Sequence, residues 1–333
     1  MRIVIIGAAG MIGARLARRI AADGAIGGRA VERLVLADVF EPPVPAGWED
    51  RSETHALDIG RPGVAESFAA MRPDIVFHLA AVVSGEAEAD FEKGYLVNLD
   101  GVRFLFEAIR QENARSGHRP RVVFASSIAV FGAPFPDRIP DDFALTPLTS
   151  YGTQKAIGEL LLADYTRRGF LDGIGLRLPT ICIRPGSPNK AASGFFSNIL
   201  REPLNGEEAV LPVPDEVRHV FASPRAAVQF FLHAATLDLS RVGPRRNLTM
   251  PGLSATVAEE IEALRRVSGE AANRIRRVPD ETIAGIVSGW ASDVEARRAA
   301  ELGFSADASF DDIIRAHLED GGGAGERAPA NGP

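Results

Sequence analysis

The chain has 333 residues, 46% of them hydrophobic and 24% charged, enough for a soluble protein with a sizeable core in one large α/β domain or two lobes. A net charge of -7 and a pI near 5.5 argue against a nucleic-acid or anionic-membrane partner. The single cysteine, Cys182, excludes an internal disulfide. The apolar run "IVII" is too short for a signal-peptide core, and no stretch of about 18 apolar residues follows, so a cytoplasmic protein is expected.

In chain order, "RIVIIG" (2–7) reads as a strand buried on both faces, and "MIGARLARRIAAD" (11–23) as a helix with Ile12, Leu16 and Ile20 along one side. Strands are expected at 33–39 and 74–82, a helix at 104–115, and a strand at 121–132 that runs into a loop. A long helix over 150–168 and a strand over 173–181 follow. Strands alternating with helices predict a doubly wound parallel sheet covered on both faces.

After Pro179 the texture changes. Residues 182–198 read as a Pro, Gly, Ser and Asn-rich loop entering a helix, and 212–235 as a return to the main sheet. Helices at 256–269, 293–304 and 309–319 suggest a smaller, mostly helical lobe. The expected division is a nucleotide-binding domain over 1–181 with 216–250 returning to it, a substrate lobe from 182–215 and 251–319, and a disordered Gly/Ala/Pro tail over 320–333.

The first chemical signal is "GAAGMIG", directly after the first strand and opening the first helix. Gly7 permits a tight turn, Gly10 lets backbone approach a pyrophosphate, and Gly13 lets helix and strand pack closely. Met11 and Ile12 then offer N–H groups at the helix's positive end. This is a Rossmann-type dinucleotide site. Asp38, at the end of the second strand, can accept hydrogen bonds from ribose hydroxyls and would repel a 2′-phosphate, so NAD is favoured over NADP; the nearest basic residue is Arg33. Asp58 and Ile59 suit the adenine edge.

The second signal is "SYGTQK", which places Tyr151 one helical turn before Lys155. Alone the spacing is an ordinary helix pair. "ASSIAVFG" adds Ser126 and Ser127 at the carboxyl end of a core strand, where such sheets bind ligands. With the glycine pattern, "HLAA" (78–81) and "VNLDG" (97–101), the ordered set resembles the extended short-chain dehydrogenase/reductase superfamily over nearly all of 1–320. Within it the chain resembles NAD-dependent oxidisers of a four-carbon sugar acid.

The resemblance implies that Ser127, Tyr151 and Lys155 are catalytic. Tyr151 would act as base, Ser127 would hold the substrate oxygen, and Lys155 would lower the phenol pKa and hold the nicotinamide ribose. Leu79, Ala80, Ala81, Asn98 and Pro179 would border the cofactor. Ser84, Thr180, Asn189 and Arg218 are candidate substrate contacts, with Arg184, Lys190 and His219 as further donors. Ser126 reads either as a structural neighbour or as a second substrate contact. A homodimer through helices 100–115 and 150–168 is implied as well. Two departures remove hydroxyls: Ile6 stands for the usual threonine and Phe131 for the usual tyrosine.

His78 reads as a satisfied core histidine and Cys182 as a small core residue; no metal-ligand cluster is evident. A sugar-nucleotide epimerase or dehydratase would use the same Ser, Tyr and Lys. Ile128 and Ala129 stand where a dehydratase carries an acid pair, which argues against that branch. A non-catalytic NAD sensor is the remaining alternative.

Overall fold

The computed structural model describes residues 1–186 and 193–321, which fall into two compact units. The first comprises Met1–Val130, Leu145–Leu178 and Val228–Thr249; the second comprises Phe131–Ala144, Pro179–Ala227 and the chain from Met250.

The first unit is built on a seven-stranded parallel sheet. Its strands β1 (Arg2–Ile6), β2 (Arg33–Asp38), β3 (Ser52–Ala56), β4 (Ile75–His78), β5 (Arg121–Ser127) and β6 (Asp172–Leu178) are joined by Asn247–Thr249, in the spatial order β3-β2-β1-β4-β5-β6 and then Asn247–Thr249. The order reverses between β1 and β4, the point at which such sheets open a ligand crevice beyond their carboxyl ends. Helices α1 (Met11–Asp23), α2 (Gly101–Ser116) and α3 (Ser150–Arg167) are the long crossover helices. Central strands carry side chains into core on both faces. Val4, Val35, Val76, Val122 and Phe124 form one cluster with Leu105, Phe106 and Ile109 of α2.

Two expectations are corrected. The strand expected over 173–181 stops at Leu178, because Pro179 has no N–H to continue the ladder. Thr180–Ile181 then pairs with Arg218–Ala222 in a separate sheet. Residues 218–222 therefore do not return to the main sheet; they sit between Thr180–Ile181 and the antiparallel Leu253–Thr256. The return is made by the helix Pro224–Thr236 and by Asn247–Thr249, which fills the edge beside β6 with Asn247 opposite Gly175.

The second unit packs Gly194–Leu204, Val257–Ser268 and Phe310–Glu319 around Phe196, Phe221, Ile261, Leu264, Ile313 and Ile314. The helix expected over 293–304 is only Arg297–Glu301, and a helix not foreseen spans Glu281–Ser288. The final helix extends to Glu319, and Asp320 pairs with Arg225; the Gly-rich tail beyond Gly321 lies outside the described residues.

Candidate active site

The glycine loop is shaped by close backbone approach. Gly7 has φ +95°, and a Cβ there would lie 2.5 Å from the Ala80 nitrogen; one at Gly13 would lie 2.1 Å from the Gly7 carbonyl oxygen. Neither position admits a side chain. The first helical hydrogen bond of α1 runs from Ala14 N–H to Gly10 O, so the N–H groups of Met11, Ile12 and Gly13 point out of the helix end without an intrahelical partner. The first turn carries no acidic residue to compete for them. A pyrophosphate fits this cradle in charge and in space.

Asp38 ends β2 beside the loop. One carboxylate oxygen accepts the Ala9 N–H at 2.9 Å and the other the Val39 N–H at 2.7 Å. The side chain thus ties the strand end to the glycine turn. Beyond it a cleft of about 280 Å³ is lined by Val39, Ala56, Leu57, Asp58 and Arg61. Asp58 accepts the Gly60 N–H at 2.9 Å, while Ile59 is buried against Gly101.

The segment after β4 is fixed from both ends. Leu79 and Ala80 both donate to Ile6 O, at 2.8 and 2.9 Å, and Ala81 is exposed. Asn98, wholly buried, accepts the Val82 N–H at 2.8 Å, donates to Val82 O at 3.0 Å and donates to Gln154 at 2.7 Å. Expected as a cofactor contact, Asn98 instead has its amide committed behind the segment. Ser84 opens the short helix Ser84–Ala89.

Ser127 ends β5, half-buried, and its Oγ accepts the Ala129 N–H at 3.1 Å. Thr149 caps α3 by accepting the Gly152 N–H at 3.0 Å, which puts Tyr151 in the first turn, where the helix dipole favours an anion. Gly152 lets the helix come close: a Cβ there would lie 2.2 Å from Ala129 O. Lys155 is buried, and its Nζ donates to Ala125 O at 2.9 Å while standing 5.6 Å from the Tyr151 ring centre. Burial pulls the Lys155 ammonium down to about 8. His78 is a core residue as read, but among the described residues neither ring nitrogen has a hydrogen-bond partner. Burial first, and the Lys155 charge second, lower its imidazole to about 3, so it is neutral.

The remaining substrate candidates separate. Ser126 faces the opposite side of the sheet from Ser127, as successive strand residues must, and its buried hydroxyl donates to Glu159 at 2.6 Å. It belongs to structure rather than to substrate. In the second unit Thr180 Oγ1 lies 2.7 Å from His219 Nε2, and His219 Nδ1 lies 2.9 Å from Ala291 O. A carbonyl can only accept, so Nδ1 carries the proton and Thr180 donates to Nε2. Burial lowers His219 to about 4. Arg218, exposed, reaches Ser254 O at 3.2 Å and Glu259 at 3.3 Å, a surface ion pair that lends no support to a substrate role. Pro179 is buried against Gly252. Asn189 and Lys190 lie outside the described residues.

Residues 3–236 match the NAD dependent epimerase/dehydratase family. The chain belongs to that family. It is 48% identical over 97% of its length to the D-erythronate dehydrogenase of Cupriavidus necator, covering 99% of that protein, and 41% identical over 96% to the D-erythronate dehydrogenase of Haemophilus influenzae, again covering 99%. A solved structure titled as the nucleoside-diphosphate-sugar epimerase from Agrobacterium tumefaciens superimposes with a TM-score of 0.95 at 63% identity, covering 97% of this chain and 95% of the other. Membership brings a nicotinamide cofactor, which fits the glycine cradle just described.

Sequence reasoning missed Glu159, Arg177, Gln154 and Gly152. Two signals were present: Glu159 stands one turn beyond Lys155, and Arg177 is a lone charge in the apolar strand "GIGLRL". Buried charges seldom stand unpaired, so each pointed to the other.

Proposed function

We propose that this chain is an NAD-dependent dehydrogenase that oxidises a hydroxyl of D-erythronate or a close small sugar acid to the 2-oxo acid. The near-full-length likeness to two proteins named D-erythronate dehydrogenase carries the substrate class. NAD, when bound, accepts the hydride from the substrate carbon. The residues of the chain do the rest. Ser127 donates to the substrate oxygen and holds it toward Tyr151, which removes the hydroxyl proton as phenolate. The Lys155 ammonium and the first turn of α3 both favour that phenolate. A phenol needs such help, since its ordinary pKa is about 10. The Ala125 carbonyl orients Lys155 for this task and for the cofactor ribose. Gly7, Gly10, Met11, Ile12 and Gly13 hold the pyrophosphate.

Asp38 supports NAD over NADP, because a 2′-phosphate would meet its carboxylate. Among the described residues no helix is long and apolar enough to cross a membrane. We place the enzyme in the cytoplasm as a homodimer through α2 and α3. Leu160, 64% exposed on α3, is the kind of residue a partner would cover.

The test is purified protein with NAD and D-erythronate. Steady growth of NADH absorbance supports the dehydrogenase. The 63% identity to a structure titled as an epimerase favours one second reading, in which a nucleotide sugar is inverted with no net NADH. NAD binding with neither reaction would make the chain a sensor.

A further inference from the structure

Tyr151, Lys155 and Glu159 stand at i, i+4 and i+8 of α3, so one stripe of the helix carries a phenol, an ammonium and a carboxylate. Oppositely charged residues four apart on a helix ordinarily pair. Here they do not. Lys155, 1% exposed, makes no ion pair among the described residues; its contacts are Ala125 O and the rings of Phe124 and Tyr151, at 5.1 and 5.6 Å. Glu159, also 1% exposed, turns to β6 instead. Arg177 Nε donates to its two oxygens at 2.9 and 3.1 Å, Arg177 Nη2 donates to Oε2 at 2.7 Å, and Ser126 Oγ donates to Oε1 at 2.6 Å.

The sheet arranges this. Ser126 and Arg177 are register partners on β5 and β6, so their side chains emerge together on one face and reach the same carboxylate. A planar guanidinium grips both carboxylate oxygens at once, which an ammonium cannot do. The buried Arg177–Glu159 pair is therefore self-compensating, and among the described residues the Lys155 charge has no counter-ion.

We propose that Arg177 is a positioning residue that guards Lys155: by holding both oxygens of Glu159, it keeps them from capturing the ammonium one turn away and leaves that charge to Tyr151. The proposal rests on the catalytic reading of Tyr151 and Lys155 given above. The other charged groups around α3 are engaged elsewhere. Glu88 accepts the Ser150 N–H, Glu86 pairs with Lys93, Asp100 with Arg103 and Glu107 with Arg110, while His78, facing Lys155 from β4, is neutral. Burial is what lowers the Lys155 ammonium.

The chain has only three tyrosines, so carbon-13 NMR of the tyrosine ζ-carbons gives three signals, and Tyr151→Phe assigns one of them. Arg177→Met should release Glu159 onto Lys155, weaken the ammonium's field, and move the Tyr151 titration midpoint upward by on the order of one pH unit. The midpoint of kcat should move the same way, with KM for NAD changing less. Arg177→Met combined with Glu159→Gln removes both charges and should return the Tyr151 midpoint to near its original place. Arg177→Lys keeps the charge with a weaker grip; it should give a smaller upward shift and provides the reading if Arg177→Met does not fold. A Tyr151 titration unmoved in both Arg177 variants, or a double variant as shifted as the single one, overturns the guard. Near-normal turnover of Tyr151→Phe would overturn the catalytic reading instead, and the NMR titrations would still decide on the guard.

Discussion

The two compact units treat a fully buried glutamate in opposite ways. In the first, Lys155, Glu159, Arg177, Asn98 and Ser126 are buried and bonded to one another or to backbone carbonyls and amides. In the second, Arg201 and His219 are buried and bonded as well, while most of the arginines stand at the surface in pairs such as Arg218–Glu259, Arg277–Asp215 and Arg266–Asp311. The wholly buried carboxyl of Glu260 has no hydrogen-bond partner among the described residues. The difference teaches where chemistry is made by the fold. Polar groups at strand ends and in a helix's first turn are held by the backbone geometry itself, and buried networks can lock them. Surface pairs hold helices and strands together but orient nothing.

Tyr151→Phe gives the largest effect expected from this comparison. It keeps the ring and deletes the ionisable oxygen, so the protein should fold and bind NAD yet lose turnover by roughly 10²–10⁴-fold in an NADH absorbance assay. In the oxidative direction activity should rise with pH as the phenol ionises and then level off, since the phenolate is the proposed base. Lys155→Met removes the charge beside Tyr151 and the proposed ribose contact, so it should move that midpoint upward and weaken NAD binding. Near-normal turnover in Tyr151→Phe would put the first unit's network on the same footing as the second unit's surface pairs.

Next comes Gly13→Ala. Its new methyl would have to sit 2.1 Å from Gly7 O, so the loop must shift. A loss of about 3 kcal/mol, with NAD no longer raising the melting temperature, is expected. Thermal melts with and without NAD decide it; an unchanged response to NAD would remove the loop from the cofactor site.

Glu260→Met sharpens the contrast from the other side. Burial holds the Glu260 carboxyl well above the usual carboxylate range, so the folded state keeps it protonated. The sign follows from linkage. A raised folded pKa gives stability that is present below the unfolded pKa and lost as pH rises through the folded one. Glu260→Met should therefore stabilise by about 1–3 kcal/mol at pH 8, with the gain shrinking toward pH 4. A pH-independent difference in chemical denaturation would mean that the carboxyl has a partner.

These contrasts also explain what was legible. The glycine trio and Asp38 stood out by their spacing around the first strands, whereas Ser127, Tyr151 and Lys155 stood out through the resemblance, since Tyr151 and Lys155 alone read as an ordinary helix pair. The break at Pro179 follows from a missing N–H that a sequence does display, yet the apolar run beyond it masked the change of sheet. Ser126 was ambiguous because its partner, Glu159, lies 33 residues away on another element. Arg218 reads as a possible donor for a substrate carboxylate; its sequence position says nothing of Glu259, which reaches it only through the strand pairing that brings Thr256 opposite Arg218.

Asp38→Ala tests the cofactor preference. It removes the proposed ribose acceptor and the Ala9 tether together, so NAD affinity should fall about tenfold and the proposed preference over NADP should narrow. Equal turnover with NAD and NADP in the unaltered protein would defeat the assignment of Asp38.

The smallest effect belongs to Arg218→Ala. The pair with Glu259 is exposed on both sides, with side chains 41% and 56% accessible, so water screens it and two long side chains must be ordered to make it. Its loss should cost under about 1 kcal/mol, and less at high salt. The Ser254 carbonyl that Arg218 also meets can turn to water instead. KM for the sugar acid should then stay within about twofold, because a surface pair carries none of the 2–5 kcal/mol lost when one partner of a buried charge pair is truncated. A KM for D-erythronate raised a hundredfold, with KM for NAD unchanged, would show Arg218 leaving Glu259 to take a carboxylate, and the second unit would gain an orienting charge of its own.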